Sequence, residues 1–276
     1  MSKTINPRTK SNILKNTFQS IFSVRNDLNY KVISILGLKF KIHDKKLDSR
    51  VLSENERIAH CISVSNLHRE VFPKYKNINY GKEVVLIATG PSLKHFIPVK
   101  DAVYVGVNRA FTYDKAKFDY LFVQDYSDAT REYFDNFMAY KGAKKFCGIV
   151  AEEIWPQSVI PESKCLNAER YYVDPPFYRT HFTRDIANEA MGDSYSIVFP
   201  AMQFILWTNP KRIYIVGCDC NTSGHFNCQK NNLNTERVIE GWIKIREFAK
   251  IHYPDTEIIS VNPVGLKGLF KDITTT

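Results

Sequence analysis

The sequence lacks any long apolar run. Its apolar residues come in short stretches, well below the roughly 20 consecutive apolar residues that a membrane-spanning helix requires. The basic segment at residues 1–10 is not followed by the apolar stretch and small-residue cleavage site of a signal peptide. These two absences predict a cytoplasmic protein without a membrane span.

Cysteine and the common nucleotide-binding motifs are also scarce or missing. Six cysteines in 276 residues are too few for a disulfide framework, and in the cytoplasm we expect them to be reduced. No G-x-G-x-x-G fingerprint or Walker loop occurs, which disfavours the usual NAD and ATP sites. No D-x-D pair follows a predicted strand, so we expect no catalytic metal and no cofactor.

The composition allows a full core. With 44% apolar and 13% aromatic residues, the chain can form one large domain with an appendage. Its 38 basic and 29 acidic residues give a net charge of +9, which favours nucleic acid, an anionic membrane face or phosphate-bearing substrates. Because aromatic residues do not alternate with Lys and Arg as in a stacking platform, we expect no nucleic-acid partner.

The first part of the chain differs from the rest. Residues 1–80 form a basic appendage, with an amphipathic helix predicted at 11–24, a hairpin between 30 and 42, and a helix near 53–70. The amphipathic helix has two interpretations: it lies on an anionic membrane surface, or it packs on its own domain. The polar stretch before residue 81 predicts the start of a catalytic domain that covers residues 81–276.

From residue 83 onward, predicted strands and helices alternate. This alternation predicts an α/β, Rossmann-like fold with a largely parallel sheet flanked by helices. We expect strands at 84–88, 102–107, 120–123, 145–150, 212–217 and 257–261, and helices at 128–140, 198–208 and 235–252.

The first of these strands leads into a turn suited to a nucleotide phosphate. Thr89-Gly90-Pro91-Ser92 follows the strand directly; Gly90 permits close approach of a ligand, Pro91 suits a first helical turn, and Ser92 can cap it or donate to a phosphate. The alternative is an ordinary capped strand-to-helix turn.

Polar side chains also follow other predicted strands. The next two strands end in Asn108 and in Gln124-Asp125, whose side chains can hydrogen-bond a base or a ribose. Ser194 and Ser196 precede an apolar helix and predict a second anion-binding helix start. We assign these residues to the nucleotide site.

The strand at 212–217 leads to the candidate catalytic residues Asp219 and His225. An imidazole titrates near neutral pH, so His225 is the candidate general base for an acceptor hydroxyl. A competing interpretation is a zinc site formed by Cys218, Cys220, His225 and Cys228, although this spacing is not a standard structural-zinc pattern.

A polar, aromatic stretch at residues 170–185 is the candidate acceptor-side lid. It contains Tyr172, Arg179, His181 and Arg184. The alternative is a surface loop whose side chains have no role in binding.

Over roughly residues 83–270 the chain resembles the bacterial sialyltransferases of glycosyltransferase family 42 and related surface-polysaccharide enzymes. The G-P-S-L turn is similar to Gly90-Pro91-Ser92-Leu93, and the family's nucleotide-contacting Asn is matched by Asn108. Its I-Y-L-x-G-x-D strand is similar to the segment that ends at Asp219. Here Gln124 replaces the family's Asn, and only five residues separate Asp219 from His225.

The resemblance implies a variant of the GT-A fold and an inverting, metal-independent transfer from a CMP-activated sugar, sialic acid or a related acidic sugar, with a His base. The expected acceptor is a cell-surface glycan or a lipid-linked glycan. The expected location is the cytoplasm, with peripheral contact at the inner face of the membrane, and a homo-oligomer is compatible with it. Two alternatives stay open: a pterin pyrophosphokinase that uses ATP and Mg²⁺, and a non-catalytic nucleotide-binding protein.

Overall fold

A computed structural model describes residues 22–27, 30–36, 38–43, 45–151, 156–174, 182–226 and 235–275. The chain divides into two compact units between Ile62 and Ser63. In this described part of the chain, every helix is too short or too polar to cross a membrane.

The first unit contains a three-stranded antiparallel sheet. Its strands are β1 (Phe22–Asp27), β2 (Tyr30–Ile35) and β3 (Leu38–His43), in that order. The predicted hairpin is present as β2 and β3. The amphipathic helix predicted at 11–24 is wrong at residues 22–24, because β1 pairs there with β2, with Val24 opposite Ile33. The remainder of that prediction, at residues 11–21, lies outside the described residues.

Helix α1 (Lys45–Val71) is longer than predicted and contributes to both units. The second unit begins at Ser63 rather than at residue 81. The physical reason is burial: Val71, Phe72 and Tyr75 belong to the main hydrophobic core. In addition, the indole N–H of Trp207 donates to the carbonyl oxygen of Phe72 at 3.0 Å. Residues 63–80 are therefore part of the larger unit.

His68 of α1 is fully buried in the larger unit. Its Nδ1 lies 2.8 Å from the carbonyl oxygen of Ile186, and its Nε2 lies 2.8 Å from the backbone nitrogen of Tyr172. Because the carbonyl can only accept and the backbone N–H can only donate, these partners fix the neutral tautomer with the proton on Nδ1. Burial lowers the pKa of His68 to about 4.

The larger unit is built on a nine-stranded parallel sheet, in which every pairing between neighbours is parallel. The strands are β4 (Glu83–Ile87), β5 (Val103–Val107), β6 (Tyr120–Val123), β7 (Lys144–Ile149), β8 (Glu169–Asp174), β9 (Met191–Gly192), β10 (Arg212–Val216), β11 (Glu257–Val261) and β12 (Lys271–Ile273). Their order is β12-β11-β10-β4-β5-β6-β7-β8-β9.

Hydrophobic cores cover the two faces of this sheet. Along β4, Val84 and Leu86 belong to one core while Val85 and Ile87 belong to the other, because successive side chains of a strand point to opposite faces. Helices α3 (Val198–Trp207) and α4 (Thr235–His252) contribute to the first core, and α2 (Asp128–Ala139) contributes to the second. The fold is α/β and Rossmann-like, and the six strands and three helices predicted after residue 83 are confirmed.

Candidate functional site

The strand order changes direction between β4 and β10. The chain leaves β4 toward β5 on one side and leaves β10 toward β11 on the other, so the two connections diverge beyond the carboxyl ends of these strands. The backbones stay paired up to this point: the N–H of Gly90 donates to the carbonyl oxygen of Gly217 at 2.7 Å. In open parallel sheets, this crevice is where ligands bind.

A cavity of about 550 Å³ opens at this crevice. Most of the predicted site residues line it, namely Thr89, Gly90, Asn108, Gln124, Asp125, Ser196, Asp219 and His225. Ser194 does not line it, although its neighbours Asp193 and Tyr195 do. Pro91 and Ser92 line a second cavity instead. The fold therefore brings five separate chain segments together at one end of the sheet.

Gly90 fits a space in which no side chain can be placed. A Cβ at this position would lie 2.5 Å from Cγ of Asp219 and 2.6 Å from the carbonyl oxygen of Gly217. The residues that follow, Pro91–His95, form a short 3-10 helix. The expectation that Ser92 caps a helix or binds phosphate is not supported, because its hydroxyl and its backbone N–H both donate to Asp219.

Asp219 has a structural environment rather than that of a general base. Its side chain is buried, Oδ2 accepts the N–H of Ser92 at 2.8 Å, and Oδ1 accepts the hydroxyl of the same residue. Both carboxylate oxygens are thus engaged by one residue, Ser92. Asp219 therefore positions the turn after β4 against the end of β10.

His225 approaches the cavity from the loop after β10. Its Nδ1 lies 2.7 Å from the hydroxyl oxygen of Thr89. The next residue strengthens this attachment, since the N–H of Phe226 donates to the carbonyl oxygen of Thr89 at 2.7 Å. When Nδ1–H donates to the hydroxyl, Nε2 is the nitrogen that can accept a proton. Thr89 is thus one of the groups that orient His225.

A buried polar pair that the sequence did not indicate lies deeper in the cavity. The side-chain N–H of Gln124 donates to Oδ2 of Asp193 at 2.7 Å, and Oδ1 of Asp193 accepts the N–H of Tyr195 at 2.8 Å. Burial raises the pKa of Asp193 to about 6. The side-chain oxygen of Gln124 is buried and has no hydrogen-bond partner in the described structure, which leaves an acceptor for a ligand N–H.

Asp125 also lines the cavity, but its carboxylate serves the protein. Oδ1 accepts the backbone N–H of Ser127 at 3.0 Å and the hydroxyl of Thr130 at 3.1 Å. These contacts fix the start of α2. Its predicted role in binding a nucleotide stays a prediction.

Left-handed backbone conformations are concentrated around the cavity. Asn108 (φ 51°), Tyr195 (φ 67°) and Cys220 (φ 46°) line it, and Ser194 (φ 39°) adjoins it. Non-glycine residues rarely adopt positive φ, and such strain tends to occur at functional sites. The hydroxyl of Ser194 lies close to Gly241 of α4. A Cβ added at Gly241 would lie only 2.7 Å from this hydroxyl oxygen.

No protein-family model, no curated protein and no solved structure matches this chain. The function must therefore be argued from the geometry of the site.

The zinc interpretation finds no support among the residues that the structure describes. In that part of the chain, no group of three or more His, Cys, Asp or Glu side chains could hold a metal ion. Cys228 lies outside it. Burial raises the pKa of Cys218 and also raises that of Cys220, to about 12.

The predicted acceptor-side residues are not gathered at this cavity. Tyr172 belongs to β8, where its backbone N–H donates to His68, and Arg184 is exposed; neither residue lines the cavity. Arg179 and His181 lie outside the described residues.

Proposed function

We propose that the protein is a metal-independent, inverting glycosyltransferase that uses a CMP-activated sugar, sialic acid or a related acidic sugar, to modify a surface or lipid-linked glycan. The observation that carries this proposal is that one cavity, at the crevice between β4 and β10, contains two groups with different chemistry. One is the buried pair of hydrogen-bond acceptors, Gln124 and Asp193. The other is the imidazole of His225, which is hydrogen-bonded to Thr89. The sequence resemblance supplies the identity of the nucleotide and sugar.

The buried pair suits the base of a cytidine nucleotide. The unpaired oxygen of Gln124 and the carboxylate of Asp193 are both acceptors, and the exocyclic amino group of cytosine is a donor. A buried acceptor left without a partner costs about 1–3 kcal/mol, so a ligand N–H at this point would contribute both affinity and selectivity. Uracil presents a carbonyl oxygen where cytosine presents this amino group.

The charge of the lining favours a monophosphate over a triphosphate. No Lys or Arg is among the described residues that line the cavity. The phosphate of CMP would be held by the hydroxyl groups of Thr89 and Ser196, which line the cavity, whereas the larger charge of ATP would lack a cationic partner from the lining residues. This argues against the pyrophosphokinase alternative.

In the proposed step, Nε2 of His225 takes the proton of an acceptor hydroxyl. The acceptor oxygen forms its bond to the anomeric carbon while the bond from that carbon to the CMP phosphate oxygen breaks, and CMP leaves with the electron pair. A single displacement of this kind inverts the anomeric centre. General-base assistance by a positioned side chain contributes about 10²–10⁴-fold to the rate.

The test combines binding and turnover. Thermal-shift assays with CMP, UDP, GDP and ATP, each with and without Mg²⁺, should show stabilisation by CMP that does not depend on the metal. His225→Ala should keep this stabilisation and lose transfer by about 10²–10⁴-fold, whereas the exposed His60→Ala should leave both unchanged. Unchanged turnover in His225→Ala would refute the role of His225. A response to ATP that requires Mg²⁺ would support the pyrophosphokinase alternative.

The sheet of the first unit supports contact with an anionic lipid surface. In β3, the exposed apolar residues Leu38, Phe40 and Ile42 alternate with the exposed Lys39 and Lys41. The apolar side chains of one sheet face offer insertion into the interface, and the lysines add electrostatic attraction. Sedimentation with vesicles of phosphatidylglycerol should retain the protein, and vesicles of phosphatidylcholine should not. Equal behaviour with both lipids would contradict this contact.

A further inference from the structure

A second cavity, of about 670 Å³, adjoins the first. It is lined by Pro91, Ser92, His95, Asp219, Asn221, Ser223, Asn262, Val264, Thr274 and Thr275. Asp219 and Asn221 line both cavities, whereas His225 lines only the first and Ser223 only the second. The loop that follows β10 therefore contributes to the lining of both cavities, and it carries the candidate base.

The lining of the second cavity has little charge to offer a ligand. It contains no Lys or Arg among the described residues, and its single carboxylate, Asp219, is occupied by Ser92. An anionic ligand would meet no cation other than a protonated His95, and a cationic ligand would meet no available carboxylate. Because the lining offers a charged ligand no available partner of opposite charge, an uncharged ligand fits it better.

Several neutral groups in this cavity are available for hydrogen bonds. The hydroxyls of Ser223 and Thr274 form no hydrogen bond to another described residue, and in Asn221 only the side-chain oxygen is used, by the N–H of Ser223 at 3.0 Å. A hydroxyl both donates and accepts, and the amide nitrogen of Asn221 donates. Val264 and Pro91 provide apolar surface beside these groups. This combination complements a sugar ring, which presents hydroxyl groups at its rim and C–H groups on its face.

Another part of the lining of the second cavity is held in place by hydrogen bonds within the protein. Asn262 and Thr275 are joined by two hydrogen bonds, from the amide of Asn262 to the hydroxyl at 2.8 Å and from the N–H of Thr275 to the amide oxygen at 2.9 Å. The same hydroxyl donates to the carbonyl oxygen of His95 at 2.8 Å. A preformed wall reduces the entropy lost on binding.

We propose that this second cavity is the acceptor site and that it takes a neutral, hydroxyl-rich sugar unit. The inference rests on the proposed function, since it assigns the first cavity to the donor and the second to the acceptor, with His225 on the loop that lines both. The sequence pattern predicts the acceptor site at residues 170–185. The proposal places it instead at the loop after β10 and at Thr274 and Thr275, which follow β12.

The experiment measures sugar binding separately from nucleotide binding, with the full chain. Saturation-transfer NMR with lactose, maltose and cellobiose reports sugar binding, and thermal shift with CMP reports the donor site. Ser223→Tyr places a ring in the second cavity. Thr222→Tyr is the matched control, because Thr222 is adjacent and exposed but lines neither cavity. Thr274→Val removes one hydroxyl with little change in volume.

At least one disaccharide should bind the unmodified protein and Thr222→Tyr. Binding should weaken at least tenfold in Ser223→Tyr and several-fold in Thr274→Val, while the shift produced by CMP stays unchanged in all three variants. Unchanged sugar binding in Ser223→Tyr, no binding by any of the disaccharides, or preference for glucuronic acid over them would each overturn the proposal. If CMP produces no shift, the proposed function fails on its own, and the sugar-binding results still decide the nature of the second cavity.

Discussion

Asp219 is joined to Ser92 by two hydrogen bonds across 127 positions of the chain. The bond from the backbone N–H measures 2.8 Å, and the second comes from the hydroxyl. The pair connects the ends of β10 and β4 at the point where the chain connections diverge. It therefore fixes the shape of the crevice, and Asp219 also lines both cavities.

A double-mutant cycle tests this structural role. Ser92→Ala and Asp219→Asn should each reduce the free energy of unfolding by about 1–3 kcal/mol, because each leaves a buried polar group without its partner. The double variant should lose clearly less than the two single losses added together. Urea unfolding measures all three. Loss of transfer in Asp219→Asn with unchanged stability would instead support the catalytic role that the sequence suggested.

Gly90→Ala should be strongly destabilising because the new methyl group would overlap Asp219 and the backbone of Gly217. We expect a loss of about 3 kcal/mol or more, at the upper end for overpacking. Gly81→Ala is the control. It has φ +74° but nothing within 4 Å of the added Cβ, so only backbone strain of about 1 kcal/mol should appear. Similar losses of stability in the two variants would show that the packing around Gly90 can accommodate a methyl group.

Thr89→Val tests the orientation of the imidazole. The substitution keeps the shape of the side chain but removes the hydroxyl 2.7 Å from Nδ1 of His225. Loss of one hydrogen bond of about 1 kcal/mol should lower kcat roughly fivefold, with a smaller change in KM, and should alter the pH profile of kcat. Steady-state kinetics from pH 5 to pH 9 would check this. A kcat equal to that of the unmodified protein would remove Thr89 from the proposed mechanism.

His68 should make the fold sensitive to acid. Since its pKa is lowered to about 4 in the folded protein and lies near 6.5 in an unfolded chain, its contribution is fully present above pH 6.5. That contribution is lost as the pH falls toward 4, by about 3 kcal/mol in total. Urea unfolding between pH 4 and pH 7 should show a smaller loss on acidification in His68→Gln than in the unmodified protein.

Asp193 changes the pH dependence of folding stability in the opposite direction to His68, so the experiment needs a control for it. Its pKa is raised to about 6 when folded, so acidification through that range favours the folded state. Comparing His68→Gln in the unmodified and the Asp193→Asn backgrounds separates the two contributions. An equal loss of stability on acidification with and without His68 would contradict its assignment.

The strands and helices around the crevice could be predicted because their apolar runs are long enough to show a period. Strands β8, β9 and β12 were missed for a different reason. β8 reads as a polar, aromatic stretch, and β9 consists of only Met191 and Gly192, so the sheet selects these segments through pairing rather than through local pattern.

The sequence predicts which chain segments form the site, but it does not predict which side chains in the site hydrogen-bond to each other. Polar residues at strand ends reveal which segments converge, since parallel strands end at one edge of the sheet. They do not reveal which side chains bind each other. No sequence pattern predicts that His225 contacts Thr89 or that Gln124 contacts Asp193, because these contacts join strand ends that are far apart in the chain.

The left-handed residues around the first cavity bear on how its specificity could be altered. At Asn108, Ser194, Tyr195 and Cys220 the main chain itself shapes the rim, and β-branched replacements there would resist the required torsion angles. Mutational libraries should therefore keep these four positions constant and vary Gln124 and Ser196 instead. Changes in ligand preference would then leave the backbone frame of the cavity intact.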